Sequence, residues 1–192
     1  NRKEYLQKKF SSIHYSPDYI GKMLTKDILD FQEYNKMEIQ IIKPTIEKLL
    51  SLINEAVTES INFFDVNLYG SHATGLCLSW SDLDVVLVPK KGYDSYFYNY
   101  NNNLHPLYLR LADKPWIKQI KYIDTATIPL IKIEATNEYK NMQIDISIQD
   151  SKHMGLKCVE LVKDYINQFD ALEPLLYVLK NLLKNANLND PY

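Results

Sequence analysis

Cysteine is scarce in this 192-residue chain: Cys77 and Cys158 are far apart and form no CxxC pair. That excludes a disulfide scaffold and a cysteine-built zinc site, and it fits a reducing compartment. None of the four histidines has a partner at HxxxH spacing, so a helical histidine metal site is excluded as well. A surplus of one charge is also missing, with 22 Lys plus Arg against 24 Asp plus Glu and a net charge of −2. Bulk electrostatic binding of the histone type needs many unpaired cations and is excluded, whereas a nucleic-acid enzyme with a local positive site is not. No 18 apolar residues run together, and Asn1-Arg2-Lys3-Glu4 leads into no apolar segment. The expectation is a soluble intracellular protein with no membrane partner.

What is present is an ordinary globular composition, 46% hydrophobic and 24% charged, long enough to bury a core without staples. At about 150 residues per domain, the length predicts one domain and a fraction of another. Tyrosine is over-represented, 15 against 6 Phe and 2 Trp, and clusters with Asn between Tyr93 and Asn103. That stretch reads as an insertion loop, with an RNA-stacking surface as the rarer alternative. Trp80 and Trp116 read as packing anchors.

Apolar residues Ile39, Ile42, Ile46, Leu49, Leu50, Ile53 and Val57 recur at steps of three and four, predicting an amphipathic helix from Met37 to about Ser60. Pro44 predicts a start or a kink there. A short helix is expected around 25–31. Strands are predicted at Phe63–Tyr69, Leu83–Val88, Ile117–Ile123, Ile128–Glu134 and Asn141–Ile148, with a helix over 104–114 built on Leu107, Leu109 and Leu111. Beyond Ser151 the period becomes helical. Leu156, Val159, Val162 and Ile166 form one stripe. Asp170 and Glu173 make a capping box, and Leu175, Leu176, Leu179, Leu182 and Leu183 form a second core face. The class is therefore α+β: a mixed sheet with flanking helices, followed by the start of a helical module.

Chemistry concentrates in Tyr69-Gly70-Ser71-His72-Ala73-Thr74-Gly75-Leu76-Cys77-Leu78-Ser79-Trp80-Ser81-Asp82-Leu83-Asp84. Asp82 and Asp84, at i and i+2 of a strand, project from one face and repel unless a cation lies between them. Mg²⁺ prefers such oxygen ligands and fills its shell with water and phosphate. A third carboxylate, Asp145, lies on an alternating strand opposite Met142, Ile144, Ile146 and Ile148. For a DxD pair alone, a solvated strand edge is the commoner role. Conjunction shifts the balance: Gly70 lets backbone approach a phosphate, and the Ser71 hydroxyl with exposed amides can hold its oxygens.

These residues, with their spacing, resemble the DNA polymerase β-like nucleotidyltransferase superfamily. Within it, Leu68–Leu76, Ser81–Val86, Ile128–Lys132, Ile144–Ser147, Leu188–Tyr192 and Leu24–Phe31 resemble the noncanonical poly(A) polymerases and terminal uridylyltransferases, the TRAMP-type poly(A) polymerases most of all. The resemblance implies a nucleotidyltransferase catalytic domain at 36–150, with 1–35 and 151–192 as parts of a helical central domain that is truncated after Tyr192. It implies that Asp82, Asp84 and Asp145 are catalytic and bind two Mg²⁺ (or Mn²⁺) ions. Gly70, Ser71, Lys180 and Lys184 would bind the nucleotide. The two lysines, at i and i+4, share a helix face. The implied partners are an RNA 3′ end, a nucleoside triphosphate (ATP or UTP) and an RNA-binding protein subunit. The implied compartment is the nucleus. Met154-Gly155-Leu156-Lys157-Cys158 lacks the Asn-Thr pair of the uridylyl-adding branch and looks more like the TRAMP-type branch, which leaves the ribose contact undefined. The resemblance implies AMP addition, with UMP addition as the alternative. His72 is expected to line the cleft, and His14, His105 and His153 to be surface or structural.

Overall fold

The computed structural model describes residues 17–93, 104–150 and 153–188. The expected Tyr/Asn loop beyond Tyr93, His14 and the segment after Leu188 lie outside the described residues.

The first element is one helix, α1 (Pro17–Ser60), rather than two. It absorbs the short helix expected near 25–31 and passes through Pro44. A helical proline costs about 3 kcal/mol, because it removes one donor and crowds the preceding turn. Ile42, Ile46, Leu49 and Ile53 around it are all buried, and each contributes about 1.5–3 kcal/mol by leaving water. Burial wins, so the helix continues. It also crosses position 36 without a break, so both expected units share one backbone element.

The remaining elements are β1 (Phe64–Leu68), α2 (Gly70–Thr74), β2 (Leu83–Pro89), α3 (His105–Ala112), β3 (Ile117–Ile123), β4 (Leu130–Ala135), β5 (Gln143–Ile148), α4 (Gly155–Gln168) and α5 (Leu172–Asn185), with a 3₁₀ turn at Asn137–Tyr139. The strands form one mixed sheet in the order β1-β2-β5-β4-β3. Only β2 and β5 run parallel; the other pairs are antiparallel.

Strand alternation divides the sheet into two faces. Leu83, Val85 and Leu87 of β2 are in register with Ile144, Ile146 and Ile148 of β5. They join Ile131 and Ile133 of β4, the apolar face of α1, and Leu107 and Leu111 of α3 in the main core. The opposite face carries Asp84 beside Asp145, Val86 beside Ser147, and Lys132 of β4 beside Asp145. One layer of helices therefore covers the apolar face, and the polar face remains for chemistry.

Several expectations change. Leu109 is exposed, leaving Leu107 and Leu111 as the core members of α3. The capping box does not form, because α5 starts from Ala171 with no side-chain cap. Leu175, Leu179 and Leu182 are exposed. The buried residue of α5 is Tyr177, which packs with Leu76 and Leu78, flanked by Phe31, Val162, Ile166 and Leu176. Among the described residues, no helix is long and apolar enough to cross a membrane.

Candidate active site

The backbone puts the acids together through register. Asp84 on β2 and Asp145 on β5 are direct partners of two parallel strands, so both side chains leave the polar face side by side. Asp82 stands two residues before Asp84, just ahead of β2. The three are electrostatically coupled. Burial, then Asp145, then Asp82 pushes the Asp84 carboxyl up to about 6. Loss of water on its inner side, then the Asp145 charge, raises Asp82 as well. The Asp145 charge raises both neighbours and Asp82 raises Asp84, against partial relief from Lys132, and such repulsion favours a divalent cation. Among the described residues no three His, Cys, Asp or Glu side chains close into a ready-made metal cage. The acids form an open shelf instead. Asp84 and Asp145, side by side, could supply oxygen ligands to an ion such as Mg²⁺ or Mn²⁺ that keeps water and phosphate in its shell.

The phosphate side of the site is built by a close approach of backbone. Tyr69 N–H donates to the Asp84 carbonyl at 3.0 Å, which brings the end of β1 against β2. The chain then turns at Gly70, φ +62°, into the single turn of α2, and leaves it through Gly75, φ +83°. A Cβ on Gly70 would collide with the Asp84 carboxylate, whose Cγ would lie only 2.8 Å away. Glycine is thus required there twice over, for its dihedral angle and for its missing side chain. The expected tight turn at Gly70-Ser71 is in fact the start of this short helix.

After α2, three consecutive carbonyls are captured by three side chains. Tyr177 Oη donates to Gly75 O at 2.5 Å, Lys180 Nζ to Leu76 O at 2.7 Å, and Asn35 Nδ2 to Cys77 O at 2.9 Å. Burial, then Glu173, pushes the Tyr177 hydroxyl up to about 12, so it stays a donor. Helices α1 and α5 thereby hold the segment between the phosphate turn and the acids. Desolvation lowers the Lys180 pKa, while the charge of Asp84 opposes that fall. A cavity of about 360 Å³ opens beside it, lined by Tyr69, Gly70, Ser71, Leu76, Val159 and Lys180 among others. Lys184, one turn on, lies 5.2 Å from the Trp80 ring centroid, and its charge reaches Asp82. Gly70 abuts the Asp84 side chain, and Gly70, Ser71 and Lys180 line one cavity from α2 and α5. The acids do not line it but stand beside it, where Asp84 feels the Lys180 charge and Asp82 that of Lys184.

Sequence reasoning missed Lys132. Its Nζ bonds Asp145 Oδ2 at 2.9 Å across the β4–β5 ladder. The signal was present in the strand pattern, but only the register shows which acid it meets. His153 proves structural, as expected, and it belongs to a buried node. Gly155 N–H donates to its Nδ1 at 3.2 Å, which leaves the proton on Nε2, 2.9 Å from Ser147 Oγ. Ser147 in turn donates to Val85 O at 3.4 Å. The Tyr69 ring stands edge-on to His153 with centroids 4.9 Å apart. This node ties β5, β2 and the start of α4 to the residue before Gly70. His72, expected to line the cleft, lines a separate cavity against α1 instead, where its Nε2 lies 3.3 Å from Ser81 O and burial lowers its pKa. Trp116 is buried, but Trp80 is 39% exposed and is no packing anchor.

Residues 24–167 match the family model "Poly(A) RNA polymerase, mitochondrial-like, central palm domain". The chain belongs to this family. Among its relatives, Poly(A) RNA polymerase protein 2 of Saccharomyces cerevisiae is 28% identical over 180 residues, covering 92% of this chain and 29% of the relative. The Inactive noncanonical poly(A) RNA polymerase protein Trf4-2 of Drosophila melanogaster is 31% identical over 129 residues, 66% of this chain and 29% of the relative. The solved polymerase core of TRAMP, a RNA surveillance complex, superposes with a TM-score of 0.65 at 24% identity, over 89% of this chain and 50% of that one. The fold is the polymerase β-like nucleotidyltransferase fold. The chain spans less than a third of the length of the curated relatives it matches and half of the solved one.

Proposed function

We propose that this palm domain serves a template-independent RNA 3′-terminal nucleotidyltransferase that adds AMP from ATP. The observation that carries the reading is the alignment of Asp84 with Asp145, with Asp82 beside them, facing Gly70-Ser71 and Lys180. Asp82, Asp84 and Asp145 would hold two divalent cations, Mg²⁺ or Mn²⁺, whose charge stabilises the attacking and leaving oxygens of an in-line displacement. The α2 backbone and the Ser71 hydroxyl receive phosphate oxygens, Lys180 supplies positive charge to the triphosphate, and Lys184 at the rim supplies it to the phosphates of nucleotide or strand that pass there. The RNA 3′-hydroxyl oxygen bonds to the α-phosphorus, the bond to the bridging oxygen breaks, and pyrophosphate leaves as the hydroxyl proton is released. Lys132 holds Asp145 in place by its ion pair.

Residues 36–150 would form the catalytic domain, and 1–35 with 151–192 parts of a helical central domain. An RNA-binding subunit and a nuclear site of action belong to the same proposal, as the resemblance to the TRAMP-type poly(A) polymerases implies. Met154–Cys158, without an Asn-Thr pair, supports ATP over UTP. A second reading, an idle nucleotidyltransferase fold acting as a scaffold, draws on the relative named inactive. The three acids at one site argue against it. Extension of an oligo-RNA in four parallel reactions, one per NTP, tests both: AMP addition supports the proposal, UMP addition reassigns the nucleotide, and none favours the scaffold.

A further inference from the structure

Trp80 is an exposed aromatic that the site description leaves without a task. It sits in the turn between the phosphate segment and Asp82, and this turn is held firmly. Ser81 N–H donates to Leu78 O at 2.8 Å, Leu78 N–H donates to Ser81 Oγ at 2.9 Å, and the Leu78 side chain is buried. The indole thus stands on a fixed turn, 39% exposed, two residues before the first acid. Its described ring partner is a cation, Lys184 Nζ, 5.2 Å from the centroid. Burying a tryptophan in the core would stabilise the fold by more than a cation–π contact at an exposed site, worth about 0.5–1 kcal/mol. The fold does not use Trp80 that way.

A flat ring on a fixed turn with a cation over it, at the lip of a carboxylate shelf, has the parts of a single-stranded nucleic-acid subsite: a plane for a base and a charge for its phosphate. We propose that Trp80 is a stacking platform for a base of the single-stranded RNA end, with Lys184 contacting the adjoining phosphate. A base held there lies beside Asp82, so the platform would deliver a strand end to the acids. Duplex RNA cannot use it, because its bases are already stacked. The inference rests on the nucleotidyltransferase reading for the identity of the strand, but its test does not need activity.

The chain has two tryptophans and Trp116 is buried, so Trp80 dominates any change in emission on surface binding. Tryptophan-emission titrations of the wild type at fixed salt would use short single-stranded oligoadenylate, duplex RNA of the same length, and ATP alone. The affinities of wild type and variants would be read by fluorescence anisotropy of the same RNAs carrying an end label. Circular dichroism would confirm that each variant is folded. The expected result is quenching by the single strand, little by duplex, an affinity about tenfold weaker in Trp80→Ala, and near-wild-type affinity in Trp80→Phe. Trp80→Leu, which keeps apolar bulk without a ring face, should behave like Trp80→Ala. Unchanged oligoadenylate affinity in Trp80→Ala, or quenching by ATP alone and not by the strand, overturns the platform. Quenching by RNA from a protein that extends nothing with any NTP leaves the platform standing and removes the enzymatic reading; extension with unchanged Trp80→Ala affinity does the reverse.

Discussion

Gly70 offers a quantitative test of how the phosphate turn and the acids are fitted together. Replacing it by Ala has two separable costs. The first is backbone: φ is +62°, and an L side chain in the left-handed region costs about 1–2 kcal/mol. The second is steric, since the new Cβ would meet the Asp84 carboxylate, with Cγ at 2.8 Å and Cβ at 3.1 Å, in a packed corner. Overpacking of this kind costs about 1–3 kcal/mol. Against these, the loss of glycine's freedom in the unfolded chain returns about 0.4–1 kcal/mol. The expected net loss is about 2–4 kcal/mol. Gly75 is the internal control, because its φ is +83° and nothing lies within 4 Å of its would-be Cβ. Gly75→Ala should therefore lose only about 1 kcal/mol. Urea denaturation of both variants, together with Asp84→Ala and the Gly70→Ala/Asp84→Ala double variant, completes a cycle. In the double variant the carboxylate is gone and only the Cβ contact at 3.1 Å remains, so most of the steric cost should vanish. If Gly70→Ala loses no more than Gly75→Ala, or the cycle shows no coupling, the tight seat of Gly70 on Asp84 is wrong.

Further outcomes follow from the charges and the buried node. The Asp84 pKa is raised to about 6 from 3.8, so the folded state binds its proton more tightly than the unfolded one, and stability from this group falls as pH rises from about 4 to 6. Asp84→Asn should therefore be more stable than wild type at pH 7, by up to about 3 kcal/mol before solvent screening reduces it, and its denaturation midpoint should lose that pH dependence. His153 has the opposite sign: its folded pKa is lowered by burial, so its contribution is present above 6.5 and lost as pH falls below that value. His153→Phe removes the acceptor for Gly155 N–H and the donor to Ser147, which should cost about 1–3 kcal/mol and show as faster amide exchange at the start of α4. Leu49→Ala, at a fully buried position on α1, should cost about 2–5 kcal/mol in the same denaturation assay.

The polar face was readable because strands have a period of two. Met142, Ile144, Ile146 and Ile148 place Asp145 on the other side, and alternation with Leu83 and Val85 does the same for Asp84; Asp82, expected on the same strand, lies just ahead of it. What alternation cannot supply is register. Lys132 looked like any outward lysine until the β4–β5 pairing set it against Asp145, and Ser147 and His153 met only through the fold. The Leu175, Leu179 and Leu182 row is apolar by sequence yet exposed, because periodicity marks a helix face without saying what packs on it. Tyr177, whose hydroxyl reaches Gly75, took the core position instead. Of the two outcomes Pro44 allowed, a helix start there is excluded: a local breaking signal of about 3 kcal/mol yields to a helix face buried along several turns. Residue type alone places Trp80 in the interior, whereas the local Leu78–Ser81 turn presents it at the surface.

The central claim is that Asp82, Asp84 and Asp145 form the acid site of an RNA-extending enzyme. The most direct measurement is extension of a single-stranded oligo-RNA by the purified protein with Mg²⁺ and each NTP in turn, beside Asp82→Ala and Asp84→Ala. The account predicts AMP addition by the wild type and a loss of at least a hundredfold in both variants. No extension with any NTP, or extension undiminished without these carboxylates, would contradict it.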